Sequence, residues 1–323
     1  MNKIDPTGLY QEDMHYYMVF FLALASGMDY TTAKITALAS QYVDNNPITR
    51  PVDDETMAKL LESPLKNQQQ LKWYHFTLSD DNGHTIKEFD NSDVGIVNSN
   101  LSPQLKNLSN AVSIGNPSQP CAKYQFLGEF LHSYADTFSH RDGMNRPIDA
   151  LTMGLGVGHG LSGEQPDYTY NGDPNYTGTD PIVIAKVWNV REERSLAAER
   201  AILGKLKDFS TSSAVSPDEI DVILKTFNAI REHGEDSPYK KKLLQETLNN
   251  WIGEKKLNLT NADGARVEKI ELVATDTSIA KDAFNEDNAK KYRDQFLGSL
   301  KDQEDKYPGV CLPGSTVCKE VKL

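Results

Sequence analysis

The sequence has fewer basic than acidic residues, and this shortage limits the classes of molecule that the protein is expected to bind. Its 323 residues contain 34 Lys and Arg against 46 Asp and Glu, which gives a formal net charge of -12. A chain of this sign repels phosphate backbones unless its positive charges are clustered. The longest basic run, Lys240-Lys241-Lys242, is predicted to lie on a solvated helix. We therefore expect no binding of nucleic acid.

Long apolar runs are also missing. The longest one spans residues 18–25, far below the roughly 20 residues that cross a bilayer, so no transmembrane segment is predicted. Glu12, Asp13 and His15 lie directly before this run, where a signal peptide carries basic residues instead. We expect a soluble chain that is secreted or exported without a recognisable N-terminal signal peptide, with a cytoplasmic location as the alternative.

Cysteine is scarce, with three residues in the chain. Cys311 and Cys318 flank a short loop with a Pro-Gly turn and are predicted to form a small disulfide, which favours an exported protein. Two nearby thiols in a tail could equally stay reduced. Cys121 opens an apolar helix and is predicted to be a buried free thiol.

Hydrophobic periodicity predicts helices through most of the chain. The predicted helices cover residues 13–26, 31–43, 53–61, 101–108, 122–138, 181–209, 216–232, 237–252 and 279–301. Short runs in residues 73–97 and 253–276 leave room for a minor β element, and residues 154–180 are predicted to form a long ordered loop. The expected fold is mostly α. Residues 1–210 would form a metal-binding helical core, and residues 211–323 a helical extension packed on the same domain with a Cys-bounded tail.

The densest polar signal lies at the end of the predicted helix 122–138. His132, Asp136 and His140 follow at i, i+4 and i+8, which stacks them on one helix face, and their flanks are apolar. Burying two imidazoles and a carboxylate without partners costs several kcal/mol per charge, and a metal ion is the usual way to satisfy them. A carboxylate with a His one turn to either side can bridge two ions. The alternative is a hydrogen-bonded polar core or a pH-sensitive cluster at a helix end.

Further candidate ligands are His and carboxylate residues in other segments of the first half of the chain. They are His15, Asp44, His75, His159, Glu164 and Asp167. Asp44 ends the second predicted helix, where a carboxylate is electrostatically unfavourable and so invites a cation. His159 lies in a glycine-rich stretch. The two remaining histidines, His84 and His233, are predicted to be surface residues.

The pattern Leu-Gly-Glu-x-x-His-x-x-x-Asp-Thr-x-x-His over residues 127–140 resembles the core helix motif of the zinc-dependent phospholipase C superfamily, which includes the single-strand-specific zinc nucleases. With the segments around His15 and Asp44, it is most similar to the bacterial phosphatidylcholine-hydrolysing branch known from Pseudomonas and Legionella. The resemblance covers residues 13–170 and implies a multi-helix bundle of phospholipase C or zinc-nuclease type. Two departures are that no Trp precedes His15 and that His140 follows the bridging Asp sooner than in those enzymes.

The resemblance implies a site with two or three Zn²⁺ ions. One zinc would be held by His132, Asp44 and His75. Asp136 would bridge it to a second zinc, held by His15. A third would be held by His140 and His159 with Glu164 or Asp167.

The resemblance also implies a zinc-dependent phospholipase C that acts on phospholipid at a membrane surface. It would cleave phosphatidylcholine to diacylglycerol and phosphocholine by attack of a metal-bridging hydroxide, with Asp136 and Asp44 as catalytic carboxylates. The acidic chain favours this activity over that of a nuclease, which must attract a polyanion. The alternatives are a nuclease or phosphomonoesterase on the same metal cluster, or a non-catalytic interaction protein stabilised by metal.

Several side chains are candidates for contacts with such a substrate. Tyr134 and Arg141 could contact the phosphate, with solvation at the surface as the alternative for Arg141. The tyrosines of residues 168–176 could face a quaternary ammonium group or simply pack in the protein interior.

Overall fold

The computed structural model describes residues 12–45, 49, 74–79, 84–87, 101–114, 120–141, 145–150, 167–171, 191–210, 215–233, 237–261 and 263–272. Its α-helices are Val19–Ser26 (α1), Tyr30–Asn45 (α2), Pro103–Ile114 (α3), Pro120–Ser139 (α4), Arg191–Leu206 (α5), Pro217–Ala229 (α6) and Pro238–Gly253 (α7). A π-helical turn, Asp13–Met18, leads into α1, and a 3-10 turn, Lys207–Phe209, follows α5. The predicted mostly α fold is confirmed.

Extended structure is minor in the part of the chain that the structure describes. It consists of isolated bridges that pair Ser79 with Thr85, Arg141 with Pro147, and Thr260 with Arg266, and these residues form no sheet. The first and last bridges lie in residues 73–97 and 253–276, the segments for which the sequence predicts a minor β element.

The two N-terminal helices meet at a glycine turn. Every residue of Asp13–Met18 and α1 is buried, and α1 ends at Gly27, whose φ of 99° is left-handed and costs glycine little. Asp29 then caps α2, because its Oδ1 accepts a hydrogen bond from the backbone N–H of Thr32 at 3.0 Å. A carboxylate three residues upstream of Thr32 thus satisfies an N–H group that the start of the helix leaves open.

The helices α2 and α4 approach each other closely because a glycine lies between them. A Cβ atom on Gly128 would lie 2.3 Å from the carbonyl oxygen of Thr36 and 2.8 Å from the backbone nitrogen of Ser40. The two backbones therefore pack without an intervening side chain. This contact sets the last turn of α2, which carries Asp44, beside the middle of α4.

The C-terminal helices begin at signals that the sequence contains. Ser216 and Glu219 form a capping box at the start of α6, in which Ser216 Oγ accepts a hydrogen bond from the Glu219 N–H at 3.2 Å. The helices α6 and α7 agree closely with the predicted helices 216–232 and 237–252. The predicted helix 181–209 is helical from Arg191 onward, and residues 181–190 lie outside the described part.

One hydrophobic cluster extends from Met14 to Leu272 and joins the N-terminal helices to the C-terminal ones. The ring of Phe21 on α1, for example, lies 5.4 Å from that of Trp251 on α7, measured between centroids. In the described residues, the structure contains no helix that is long and apolar enough to span a membrane.

Several further features of the sequence analysis lie outside the described residues. They are the predicted helices 53–61 and 279–301, the tail with Cys311 and Cys318, and the side chain of Cys121. The division of the chain at residues 210 and 211 stays a prediction.

The basic run 240–242 is different from its prediction. Lys240 is fully buried, Lys241 is half-buried and only Lys242 is exposed. Successive residues of an α-helix point about 100° apart, so the run crosses from the buried to the exposed face of α7. The prediction of a solvated basic run is therefore wrong for Lys240, which is held in the interior by an acidic partner described below.

Candidate metal centre

The middle of α4 supplies the polar face that the sequence predicts. His132 and Asp136 are fully buried, and His140, which follows the end of the helix, is 4% exposed. Their spacing places them on one face. Three other segments bring His15, Asp44 and His75 to the same face, so the structure brings six of the nine predicted ligands together.

The carboxylate of Asp136 lies at the centre of this group and faces two sides. Its Oδ1 is 3.2 Å from His15 Nε2. Its Oδ2 is 3.1 Å from His75 Nδ1 and 3.3 Å from His132 Nε2. The His140 Nε2 atom lies further away, 3.9 Å from the same Oδ2. Oδ1 therefore faces the imidazole of His15, whereas Oδ2 faces the imidazoles of other histidines.

Asp44 completes the group on the Oδ2 side. Its Oδ1 lies 3.2 Å from His132 Nε2 and 3.9 Å from His75 Nδ1. Asp44 belongs to the last turn of α2, where the helix dipole is negative and a cation stabilises the carboxylate. The close contact at Gly128 between α2 and α4 is what allows this reach.

Four donor atoms, His75 Nδ1, His132 Nε2, Asp44 Oδ1 and Asp136 Oδ2, thus lie close together. The measured distances between them run from 3.1 to 3.9 Å. Ligands arranged tetrahedrally about a metal ion at about 2.0–2.1 Å lie about 3.3 Å from one another, so the set has the spacing of a four-coordinate metal site. The groups His15, Asp44, His132 and His75, His132, Asp136 could each hold a metal ion, with the donor atoms of each group within 4.8 Å of one another.

Hydrogen bonds alone satisfy this arrangement poorly. His132 Nε2 has three acceptors within 3.3 Å, namely Asp44 Oδ1, Asp136 Oδ2 and His75 Nδ1. One N–H group cannot serve three acceptors at once, whereas a cation between them attracts all of them. The donor chemistry and the spacing therefore fit a divalent metal ion.

Backbone carbonyls orient two of the imidazoles from outside. His75 Nε2 lies 2.9 Å from the carbonyl oxygen of Thr49, and His140 Nδ1 lies 2.8 Å from the carbonyl oxygen of His75. Each of these nitrogens donates its proton to the carbonyl, which leaves His75 Nδ1 and His140 Nε2 as the nitrogens that face Asp136. Metal-bound histidines are commonly fixed in this way. The role of Thr49 was missed, since every residue has a carbonyl and the sequence carries no signal for this one.

The protonation states are those that metal ligands need. Burial lowers the pKa of His132 to about 4 and lowers the pKa of His15 and of His75 below the ordinary value. Burial alone would raise the pKa of Asp136, but the imidazoles around it, those of His140 and His132 above all, hold its pKa well below the usual range. At neutral pH His15, His75 and His132 are therefore neutral, and Asp136 is ionised.

Of the three remaining predicted ligands, Asp167 is described and belongs to neither donor group. His159 and Glu164 lie outside the described residues. Asp167 is buried and attracts the guanidinium of Arg191 electrostatically. His84 is exposed, as predicted. Its Nδ1 lies 3.3 Å from Asp149 Oδ2.

The candidate substrate contacts are occupied by the protein itself. Arg141 is 1% exposed, so the alternative of a solvated Arg141 is wrong; its guanidinium donates to the carbonyl oxygens of Thr137 at 3.0 Å and Asn145 at 2.8 Å. The rings of Tyr168 and Tyr170 stack at 5.0 Å, and the cations of Arg191 and Lys240 lie over them at 5.4 and 5.9 Å. Tyr134 packs between Phe130 and Phe138.

Comparison with known proteins gives a family and no function. Residues 10–307 match the family described as "Family of unknown function (DUF6765)", and the chain belongs to this family. No curated protein and no solved structure matches the chain.

Proposed function

We propose that this DUF6765 chain is a zinc-dependent hydrolase of phosphodiesters, and specifically a phospholipase C that cleaves phosphatidylcholine to diacylglycerol and phosphocholine. The observation that carries the proposal is the two-sided carboxylate of Asp136. Its Oδ1 faces His15 at 3.2 Å, and its Oδ2 faces His75 at 3.1 Å. A carboxylate in this arrangement suits two neighbouring ions, one at each oxygen.

The two sides of Asp136 differ in their donors. On the Oδ2 side, His75, His132 and Asp44 complete a four-donor set that suits one zinc. On the Oδ1 side the described donor is His15, so an ion there would be held by this imidazole and by Asp136 Oδ1, and water or a phosphate oxygen would supply further ligands in a catalytic site. When bound, a pair of zinc ions lowers the pKa of water and offsets the negative charge of a phosphoryl group.

The side chains of the protein have three tasks in this proposal. Asp136 would hold one ion at each of its carboxylate oxygens. The carbonyl of Thr49 fixes the tautomer of His75, so that Nδ1 presents its lone pair. The apolar residues around the group exclude bulk water, which strengthens every electrostatic interaction inside the site.

The substrate class rests on the resemblance of residues 127–140 to the phospholipase C motif and on the charge of the chain. A net charge of -12 disfavours attraction of a long polyanion and penalises a zwitterionic head group less. The contacts of Tyr168 and Tyr170 with Arg191 and Lys240 offer no support for a choline cage at these rings. The part of the proposal that names choline is therefore carried by the resemblance alone.

The test combines metal analysis with an assay of head-group release from phosphatidylcholine vesicles. We expect about two zinc ions per chain and hydrolysis that a chelator abolishes. In Asp136→Asn and in His132→Ala we expect the loss of zinc binding and of hydrolysis. His84→Ala, which changes an exposed histidine outside the group, is the matched control and should keep both. Zinc-free wild-type protein, or an Asp136→Asn variant with wild-type activity, would overturn the proposal.

A parallel assay separates the substrate classes. Single-stranded DNA and p-nitrophenyl phosphorylcholine are offered to the same zinc-loaded protein. Turnover of the choline ester and not of the DNA supports the phospholipase, and the reverse result identifies a nuclease on the same metal group.

A further inference from the structure

A second buried ionic contact lies outside the candidate metal centre. Lys240 on α7 donates from Nζ to Asp13 Oδ2 at 2.6 Å, and the two side chains are 0% and 1% exposed. The same Nζ donates to Thr169 Oγ1 at 2.8 Å and lies 4.6 Å from the centroid of the Phe227 ring. The lysine is therefore held in a dry environment by one carboxylate, one hydroxyl and the aromatic faces of Phe227 and Tyr170.

Asp13 is two residues from His15 on the same π-helical turn. Side chains two positions apart in a helix do not face each other. Asp13 points to α7, while His15 points to α4, where its ring stacks on that of His132 at 3.9 Å and its Nε2 meets Asp136 Oδ1 at 3.2 Å. The turn is thus fixed from two sides, by an ion pair on one and by the metal group on the other.

We propose that Lys240 is a positioning residue for the candidate metal centre: by holding Asp13, it fixes the turn that presents His15 to the Oδ1 side of Asp136. The proposal rests on the proposed function. The affinity for an ion on the Oδ1 side would then depend on a contact with α7, which lies in the C-terminal part of the chain. The four-donor set on the Oδ2 side contains no residue of this turn.

The kind of helix at this turn supports the assignment. Asp13–Met18 is a π-helix, a form that is rare and occurs mostly as single turns, frequently at functional sites. Such a turn needs tertiary contacts to persist, and the contact with α7 supplies a charged one. The contact is also specific in distance, since a 2.6 Å ion pair fixes the carboxylate more closely than apolar packing would.

The test measures zinc affinity at both positions in full-length protein. In Lys240→Met we expect the first zinc to bind as in the wild type and the second to bind about 10–100-fold more weakly, the usual effect of losing a group that orients a ligand. The double variant Asp13→Asn, Lys240→Met removes both charges and so restores a neutral interior. It should regain stability and still bind the second zinc weakly, a combination that a merely structural role would not produce.

The matched control is Asn249→Ala on the same helix. Asn249 exchanges two hydrogen bonds with the backbone of Ile270, at 2.9 and 2.7 Å. These bonds attach α7 to the segment that follows it and do not involve Asp13. This variant should lose stability and keep both zinc affinities. Loss of the second zinc in Asn249→Ala as well would show a general effect of α7 and overturn the assignment to Lys240.

A readout without metal keeps this inference separate from the proposed function. In chelator-treated protein with ¹⁵N-labelled histidine, the ring resonances of His15 should shift in Lys240→Met, while those of the exposed His84 stay in place. If the wild type binds no zinc, the proposed function fails and the His15 resonances still decide the positioning role. Unshifted His15 resonances would overturn that role, as would unchanged affinity for the second zinc in a wild type that binds two.

Discussion

The helices α4 and α6 carry polar residues in two different ways. On α4, every residue from Gln125 to Ser139 is buried. On α6, the buried residues are limited to one stripe, formed by Ile220, Leu224, Phe227 and Asn228, and even Val222 is 62% exposed.

This difference in burial determines whether the identity of a polar side chain is informative about function. Water satisfies a polar group on the outer face of α6 at little cost, and its identity says little about function. A polar group on α4 must find its partner inside the protein. The histidines and carboxylates of α4 are therefore informative, and changes on α4 are expected to be larger than changes on α6.

Metal removal from the group on α4 gives the largest expected effect. A ligand that binds only the folded state stabilises it by about 4 kcal/mol at a concentration about a thousand times its dissociation constant. Chelation should lower the unfolding temperature of the wild type, followed by circular dichroism. Asp136→Asn, which lacks the shared carboxylate, should respond less. Equal unfolding temperatures with zinc and with chelator would show that the polar group on α4 is not stabilised by a metal ion, contrary to this prediction.

Glu129, also on α4, gives a pH-dependent effect. Burial raises its pKa to about 7 from an ordinary value of 4.5. Because the folded protein holds this proton more tightly than the unfolded chain, stability is fully present below pH 4.5 and decreases as the pH rises to 7. The full loss is about 3 kcal/mol, of which about 2 kcal/mol falls between pH 5.5 and 8.5.

The change Glu129→Gln removes the titrating group and should remove most of this loss. Urea unfolding at the two pH values measures it. Glu246→Gln, at a side chain that is 62% exposed on α7, is the control and should keep the wild-type pH dependence. A Glu129→Gln variant with that same dependence would show that burial on α4 does not perturb this carboxyl.

Gly128 tests the packing of α4 rather than its polar groups. Gly128→Ala places a Cβ against the backbone of α2 and should destabilise the fold by about 1–3 kcal/mol, the usual cost of overpacking. It should also weaken zinc binding, since α2 carries Asp44. Gly204→Ala on α5 is the matched control, because its Cβ meets nothing within 4 Å, and it should stabilise the protein by up to about 1 kcal/mol. Chemical unfolding of the two variants decides the comparison.

The smallest effect is expected at the start of α6. Ser216→Ala removes the capping side chain and should lower the free energy of unfolding by about 1 kcal/mol. Zinc affinity should not change. A loss of metal in this variant would mean that α6 is coupled to the centre, contrary to the contrast drawn between the two helices.

The sequence predicts the parts of this molecule that are local in the chain. The spacing of His132, Asp136 and His140 predicts their common face, and the apolar flanks predict its burial. Ser216, Pro217 and Glu219 predict the start of α6, because a capping box is read within four residues. The meeting of Asp44 and His75 with this face was expected only through the resemblance, since it depends on how helices pack.

Non-local contacts explain what the sequence could not predict. Lys240 stands in a run of three lysines, and its burial depends on a carboxylate 227 positions away. No pattern within one helix contains the partner of Lys240. Arg141 is a different case: it follows a predicted helix end and looks solvated, yet its guanidinium donates to carbonyl oxygens four residues away on either side, in its own helix and loop.

The pair of Asp13 and Lys240 also has a consequence for synthesis of the protein on the ribosome. The residues that face Asp136 are all made within the first 140 positions, but the turn with His15 can make its ion pair only after α7 has emerged. Contacts between such distant positions form slowly, because a long loop must close first. The nascent chain would thus carry an incomplete candidate metal centre for about a hundred further residues, until α7 has emerged.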